Sequence, residues 1–201
     1  SSTPTLLAST SEVYGVGHGR PFQETDDSVY GPTTVARWSY AHSKAVDEHL
    51  AFALEQELPS VVVRFFNTVG PRQRGDWGMV LPRFVQAALT NAPIEVHGDG
   101  NQKRCFADVR DIVDSLPRLL RSPDARGLPV NLGHDESITI LQLAELVRDV
   151  LNSESSIQVL PYTEVWGRGF QDLQERIPDL ARARNLVCLL YTSPSPRDVH
   201  L

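Results

Sequence analysis

Tyr40-Ala41-His42-Ser43-Lys44 sets a phenol and an ammonium four residues apart. On a helix that spacing brings both to one face, where they can share one ligand. A phenol of pKa about 10 is a poor base at neutral pH, but a cation about 4 Å away at an effective dielectric near 20 favours the phenolate by roughly 4 kcal/mol, about three pK units. Tyr40 is then within reach of general-base work. Two polar loops can join the pair. Ser9-Thr10-Ser11-Glu12-Val13-Tyr14-Gly15 and Arg64-Phe65-Phe66-Asn67-Thr68-Val69-Gly70-Pro71-Arg72 each lie at the mouth of an apolar run. In an open parallel sheet ligands sit just beyond the carboxyl ends of the strands, where such loops emerge. Farther on, Gly98-Asp99-Gly100-Asn101-Gln102-Lys103-Arg104-Cys105-Phe106 carries Arg104, whose planar guanidinium suits a bidentate grip on phosphate. Cys105 reads as a small buried filler rather than a nucleophile, because no activating His is patterned around it.

The elements that must position these groups follow from periodicity. Thr5–Ala8 is a short apolar run without helical spacing, a buried strand that opens into the Ser9 loop. From Tyr40 to about Glu57, Val46, Leu50, Ala53 and Leu54 recur at helical spacing, and Pro59 marks the end. Ser60–Phe66 is a β-branched run of strand length, too regular in its apolar character to be an edge, which suggests a central parallel strand. Then come a helix from about Met79 to Leu89, a strand Ile94–His97, a turn at Gly98–Asn101, a strand Arg104–Ala107, a helix Val109–Leu120 and a strand Val130–Leu132. Thr139 with Gln142 makes a capping box for a helix whose stripe is Ile140, Leu143, Ala144, Val147, Val150 and Leu151. Strand and helix keep changing places, so the chain is α/β.

Composition narrows the function. With 201 residues, 41% hydrophobic and 22% charged, the chain is of the size and composition of one ordinary globular domain or a piece of a larger protein. A net charge of −6 argues against nucleic acid as a partner, though not against one basic pocket. No apolar run approaches 18 residues, so no membrane span is expected. Two cysteines, Cys105 and Cys188, are too few and too far apart for a zinc site or a disulfide framework, so no metal is expected and the default address is cytoplasmic. No Gly-x-Ser-x-Gly elbow of a serine hydrolase occurs.

The ordered set STSEVYG, YxxxK, RFFNTVGPR and GDGNQKRCF resembles the extended short-chain dehydrogenase/reductases that modify nucleotide sugars with tightly held NAD, over about residues 4–187. The resemblance implies the C-terminal part of a Rossmann-type doubly wound parallel sheet plus a smaller α/β substrate-binding domain. Residues 1–75 would be the second half of the NAD-binding domain, 76–187 mainly the nucleotide-sugar domain, and 188–201 a foreign or disordered tail. It also implies roles: Tyr40 the acid/base at the sugar's 4-hydroxyl, Lys44 a ligand of the nicotinamide ribose, Thr10 a hydrogen-bond partner of the same hydroxyl, and Phe65 a wall of the cofactor site. Asn67 would orient the nucleotide diphosphate and Arg104 would grip it. Within the family, Glu12 and the segment Trp166–Pro178 resemble UDP-glucuronate decarboxylases, in which Glu12 and Arg176 would serve decarboxylation, Arg176 as proton donor; Phe170 stands where that pattern has Tyr. Oxidation at carbon 4 of a glucuronate makes a β-keto acid that loses carbon dioxide readily, so the chemistry is coherent. The alternatives are a UDP-glucose or UDP-glucuronate 4-epimerase, and a catalytically silent nucleotide-binding relative, against which the intact Thr10, Tyr40 and Lys44 set weighs. The family's members are commonly homodimers built on the helix that carries Tyr40. Two departures stand out. The Gly-rich first βα turn that cradles the NAD pyrophosphate is absent, which implies about 100 missing upstream residues, and Cys188–Asp198 replaces the expected last helix.

Overall fold

The computed structural model describes residues 3–17, 19–75, 79–165 and 173–187. Along the chain the strands are β1 (Thr5–Thr10), β2 (Ser60–Phe65), β3 (Thr68–Val69), β4 (Ile94–His97), β5 (Lys103–Cys105), β6 (Ala107–Asp108), β7 (Pro129–Leu132), β8 (Ser137–Thr139), β9 (Ile157–Leu160) and β10 (Glu175–Arg176). The helices are α1 (Trp38–Ala53), α2 (Val80–Leu89), α3 (Val109–Arg121), α4 (Ile140–Val150), α5 (Tyr162–Val165) and α6 (Ala181–Val187).

The main sheet is parallel, in the order β1-β2-β7. Its register runs from Thr5 opposite Ser60 to Thr10 opposite Phe65, with Phe65 in turn opposite Leu132. Thr10, Phe65 and Leu132 therefore end the three strands in one row, and the loops that follow open on the same edge. Flanked on both sides, β2 is buried from Ser60 to Arg64, which is why its run of valines can be apolar on both faces. Val61 and Val63 face a core shared with Ile112 and Leu119 of α3, Val130 and Leu132 of β7, and Ala183 and Val187 of α6. Alternation sends Arg64 to the opposite face, where α1 packs. A second core gathers Phe84 and Ala88 of α2, Ile94 and Val96 of β4, and Ile140, Leu143, Ala144 and Val147 of α4. Residues 79–187 thus feed both cores: α2, β4, α4 and β9 build the second, whereas α3, β7 and α6 return to the first.

Two elements differ from the periodicity reading in an informative way. The helix α1 forms, but it spans Trp38–Ala53, and the apolar positions Val46, Leu50 and Leu54 point to solvent, each more than two-fifths exposed. Its buried residues are Trp38, Ala41 and Glu48. The strand expected over Arg104–Ala107 is broken at Phe106, because β5 pairs with β8 and β10 while β6 pairs with β3. The strand read as buried at Thr5–Ala8 is only partly buried in β1, with Ala8 exposed, because a neighbour is paired on one side of it among the described strands, and Val150 of the α4 stripe faces solvent. The capping chemistry is realised as read. The Thr139–Gln142 capping box closes in both directions, and Asp108 caps α3 through the Arg110 amide at 2.7 Å. Gly15, at φ +68°, ends the turn after β1, and a Cβ there would lie 1.8 Å from the Val29 carbonyl oxygen.

Candidate active site

Thr10 closes β1, and its hydroxyl oxygen accepts from the Glu12 amide at 3.3 Å, capping a single 3-10 turn over Ser11–Tyr14. That turn aims Glu12 back across the molecule. Glu12 Oε1 lies 2.6 Å from Arg176 Nη1, and Oε2 lies 3.5 Å from Arg37 Nη2. The three side chains are mostly buried, 21% exposed for Glu12, 10% for Arg176 and 15% for Arg37. Arg176 sits on β10 directly beside Arg104 on β5, and neighbours in a parallel pair project to the same side of strands about 4.8 Å apart. Arg104 is itself buried, its Nη1 donating to the Lys103 carbonyl at 2.8 Å. The ion pair between Lys103 and Glu175, 2.9 Å, joins the adjacent residues of the same two strands. Among the described residues, Glu12, Arg37 and Arg176 meet at the turn after β1, with Arg104 beside Arg176 on the paired strand.

Tyr40 and Lys44 occupy the first turns of α1, one turn beyond Arg37. Tyr40 is 53% exposed, and the Lys44 ammonium donates to Asp47 at 3.3 Å. The Tyr40 ring is thus open to a ligand, while the Lys44 side chain is 27% exposed. Phe65 ends β2 half-buried against the main core. Asn67 lies two residues on, and its side-chain amide donates to the Cys105 carbonyl at 3.0 Å, tying the loop after β2 to β5. Cys105 is buried, and burial pushes its thiol up to about 12. A thiol held protonated at physiological pH is no nucleophile.

Beneath the site runs a buried polar network that sequence reasoning missed. Arg64 grips Glu48 through three hydrogen bonds, Nε to Oε1 at 3.0 Å and Oε2 at 3.2 Å, and Nη2 to Oε2 at 2.7 Å. Ser9 donates to Glu48 Oε1 at 2.5 Å. The Arg64 guanidinium also stacks 4.7 Å over the Tyr14 ring, and the Tyr14 hydroxyl donates to Asn131 at 2.6 Å. Burial pushes the Tyr14 phenol up to about 12 although Arg64 lies beside it. Burial works against the Arg64 charge too, yet the hydrogen bonds and charge of Glu48 hold its pKa above the ordinary arginine range. The sequence signals were faint: Glu48 is a carboxylate at four residues from Lys44, and Arg37 is a cation three before Tyr40. Neither forms a motif by itself.

The donors present suit the nicotinamide-ribose end of NAD, since an exposed phenol and a partly buried ammonium stand one turn apart on the helix that packs against β1. Among the described residues no Gly-rich turn joins a strand to a helix, so the pyrophosphate cradle is not supplied by them. Phe170 and its neighbours 166–172, and the tail 188–201, lie outside the described residues. Among those that are described, no group of His, Cys, Asp and Glu could hold a metal ion, and no helix is long and apolar enough to cross a membrane.

Comparison with known proteins agrees with this geometry. The profile of the NAD dependent epimerase/dehydratase family matches residues 3–133. Among curated relatives, the UDP-N-acetyl-alpha-D-glucosaminuronate decarboxylase of Bacillus cytotoxicus is 39% identical over 184 residues, covering 90% of this chain and 56% of the relative. The UDP-glucuronic acid decarboxylase 1 of Danio rerio is 38% identical over the same span, 42% of its length. This chain thus spans about half the length of the relatives it matches. Among solved structures, UDP-glucuronic acid 4-epimerase from Bacillus cereus, in complex with UDP-glucuronic acid and NAD, superposes with a TM-score of 0.81 at 24% identity, over 96% of this chain and 57% of that one. The UDP-N-acetylglucosamine 4-epimerase from Methanobrevibacter ruminantium M1 gives 0.80 at 25% identity, over 97% and 61%. With a profile that matches well over half of the chain and the parallel sheet, the strand-end loops and the helix-borne Tyr40 and Lys44 already described, the chain belongs to the NAD-dependent epimerase/dehydratase family.

Proposed function

We propose that this chain carries the catalytic and sugar-binding part of an NAD-dependent enzyme that decarboxylates a UDP-linked uronic acid, UDP-glucuronate in the first instance, through a 4-keto intermediate. The observation that carries the reading is the Glu12–Arg176 ion pair, with Arg37 on the second carboxylate oxygen, one helical turn before Tyr40. Planar guanidiniums are suited to a substrate that bears a carboxylate as well as a diphosphate. The two relatives described above are both decarboxylases of 6-carboxylated UDP-sugars, which favours the same choice.

NAD, when bound, supplies the hydride acceptor for carbon 4, and Tyr40 with Lys44 would hold its nicotinamide ribose, Phe65 closing the pocket wall. The Tyr40 phenolate takes the proton of the sugar's 4-hydroxyl as the ketone forms, with Thr10 hydrogen-bonding the same oxygen. The carboxylate is then β to a ketone. The bond between carbons 5 and 6 breaks, carbon dioxide leaves, and its bonding pair forms an enolate that the 4-oxygen carries. Arg176, oriented by Glu12, delivers the proton that quenches carbon 5. Asn67 and Arg104 would orient and grip the diphosphate. The exposed apolar stripe Val46, Leu50 and Leu54 on α1 is the surface on which a homodimer would form. Cysteine usage, with Cys105 unpaired, fits a cytoplasmic address.

The test is incubation of the full-length protein with carboxyl-labelled UDP-glucuronate and, in parallel, its 2-acetamido counterpart. Release of labelled carbon dioxide is expected, and Arg176→Ala should slow that release far more than the first oxidation. Conversion of UDP-glucuronate to UDP-galacturonate, or of UDP-glucose to UDP-galactose, with the label retained, would replace this reading with a 4-epimerase.

A further inference from the structure

The helix that carries Tyr40 and Lys44 is anchored in an unusual way. Among its described residues only Trp38, Ala41 and Glu48 are buried, while Val46 and Leu50 face solvent. A helix normally finds its rotation about its own axis by burying an apolar stripe. Here the stripe points away from the sheet, and the buried contact at the C-terminal half of the helix is a carboxylate. Glu48 meets Ser9 of β1 at 2.5 Å and Arg64 of β2 through three hydrogen bonds. All three side chains belong to residues at most 8% exposed.

The placement of the three partners matters. Tyr40, Lys44 and Glu48 stand at successive four-residue steps, so they follow one slowly turning face of α1. Ser9 is the residue before Thr10. Arg64 is the residue before Phe65, which ends β2 in the same row as Thr10. One carboxylate thereby links the helix of Tyr40 to both strand ends over which the substrate would lie. A salt bridge of this kind is directional, because the fork of Arg64 donates to the Glu48 carboxylate in one orientation. Apolar packing has no such preference.

Resting on the functional reading above, we propose that Glu48, held by Ser9 and Arg64, is a positioning residue that fixes the roll of α1 and thereby sets the Tyr40 phenol against the substrate hydroxyl beside Thr10. Glu48 lies about 12 Å along the axis from Tyr40, at 1.5 Å per residue. A phenol oxygen roughly 8 Å from the axis moves about 1.4 Å for about 10° of roll. Misplacement of a reacting group by about 1 Å can cost on the order of 100-fold in rate.

Removing one partner alone leaves an uncompensated buried charge and threatens folding. The decisive variant is therefore the full-length double substitution Glu48→Met with Arg64→Met, which fills the volume, keeps the core apolar and removes the directional contact. Glu48→Asp serves as the second variant, retaining the charge but shortening the reach. Three readouts are taken: thermal midpoint, kcat and KM for oxidation followed by reduced-nicotinamide absorbance, and the fluorine NMR resonance of 3-fluorotyrosine placed at position 40. The double variant should melt within a few degrees of wild type, bind substrate with unchanged KM, lose about 10–100-fold in kcat, and shift or broaden the Tyr40 resonance. Glu48→Asp should move both quantities in the same direction by less. An unmoved resonance, or a kcat within about threefold of wild type in a folded double variant, overturns the proposal. If wild-type protein oxidises no nucleotide sugar while the resonance still moves, the functional reading falls and the control of Tyr40 by Glu48 stands.

Discussion

Removing the contact between Glu12 and Arg176, 164 positions apart in the chain, probes the geometry most directly. The perturbation is a double-mutant cycle with Glu12→Gln, Arg176→Met and the pair together, in full-length protein. Opposite charges whose centres lie about 4 Å apart attract by roughly 4 kcal/mol at an effective dielectric near 20. Both groups are mostly buried, so part of that is lost to their desolvation. Arg37 remains on the second oxygen of Glu12 and softens the loss further when Arg176 is removed. The surviving coupling should be about 1.5–3 kcal/mol, the range of hydrogen bonds to charged groups. Urea unfolding of the four forms, read by fluorescence, gives the coupling as the departure from additivity. The two residues touch each other and Glu12 also touches Arg37, so independence is not expected. A coupling below about 0.5 kcal/mol, the usual scatter of additive sites, would refute the claim that the turn after β1 and β10 close one site.

Three further outcomes are expected. Tyr40→Phe should lower kcat of oxidation by about 10²–10⁴-fold, the usual worth of a general base, with little change in melting temperature because the side chain is half exposed; retention of most activity in a steady-state assay removes Tyr40 from the chemistry. Stability should fall as pH rises from about 9 to about 12, because the unfolded chain releases the Cys105 and Tyr14 protons at their ordinary values of 9.0 and 10.0 while the folded chain holds them to about 12. That difference is fully stabilising below pH 9 and amounts to about 4 and about 3 kcal/mol respectively; a flat denaturation midpoint across that window contradicts it. Gly15→Ala should destabilise by at least about 1–3 kcal/mol, from strain at positive φ together with the clash on the Val29 carbonyl, and an unchanged thermal midpoint would show that the turn after β1 yields at little cost.

What the sequence determined by itself were the quantities written in short windows. The β-branched run at Ser60–Phe66 suggested a strand flanked on both sides, and it is the middle one, between β1 and β7. The Thr139–Gln142 box predicted a helix start because the hydrogen bonds it makes span three residues. The family, too, was legible, since its motifs are short and ordered along the chain. Tertiary structure decided what depends on groups far apart in sequence. The stripe Val46, Leu50 and Leu54 gives the period of α1 but not its facing. A buried carboxylate bound by Ser9 and Arg64 turns that stripe outward, because the charged hydrogen bonds of Glu48 with strands β1 and β2 are lost if the helix rolls. The same holds for Arg37, Arg104 and Arg176. Arg37 by itself is indistinguishable from a solvated cation, Arg104 and Arg176 stand out only through the motifs around them, and Arg37 and Arg176 meet Glu12 only after β10 has paired with β5 and the turn after Thr10 has been capped. Periodicity reports what one element can bury; which charge meets which is settled by strands and helices that the chain brings together from separate stretches, 16 residues apart for Glu48 and Arg64 and 164 for Glu12 and Arg176.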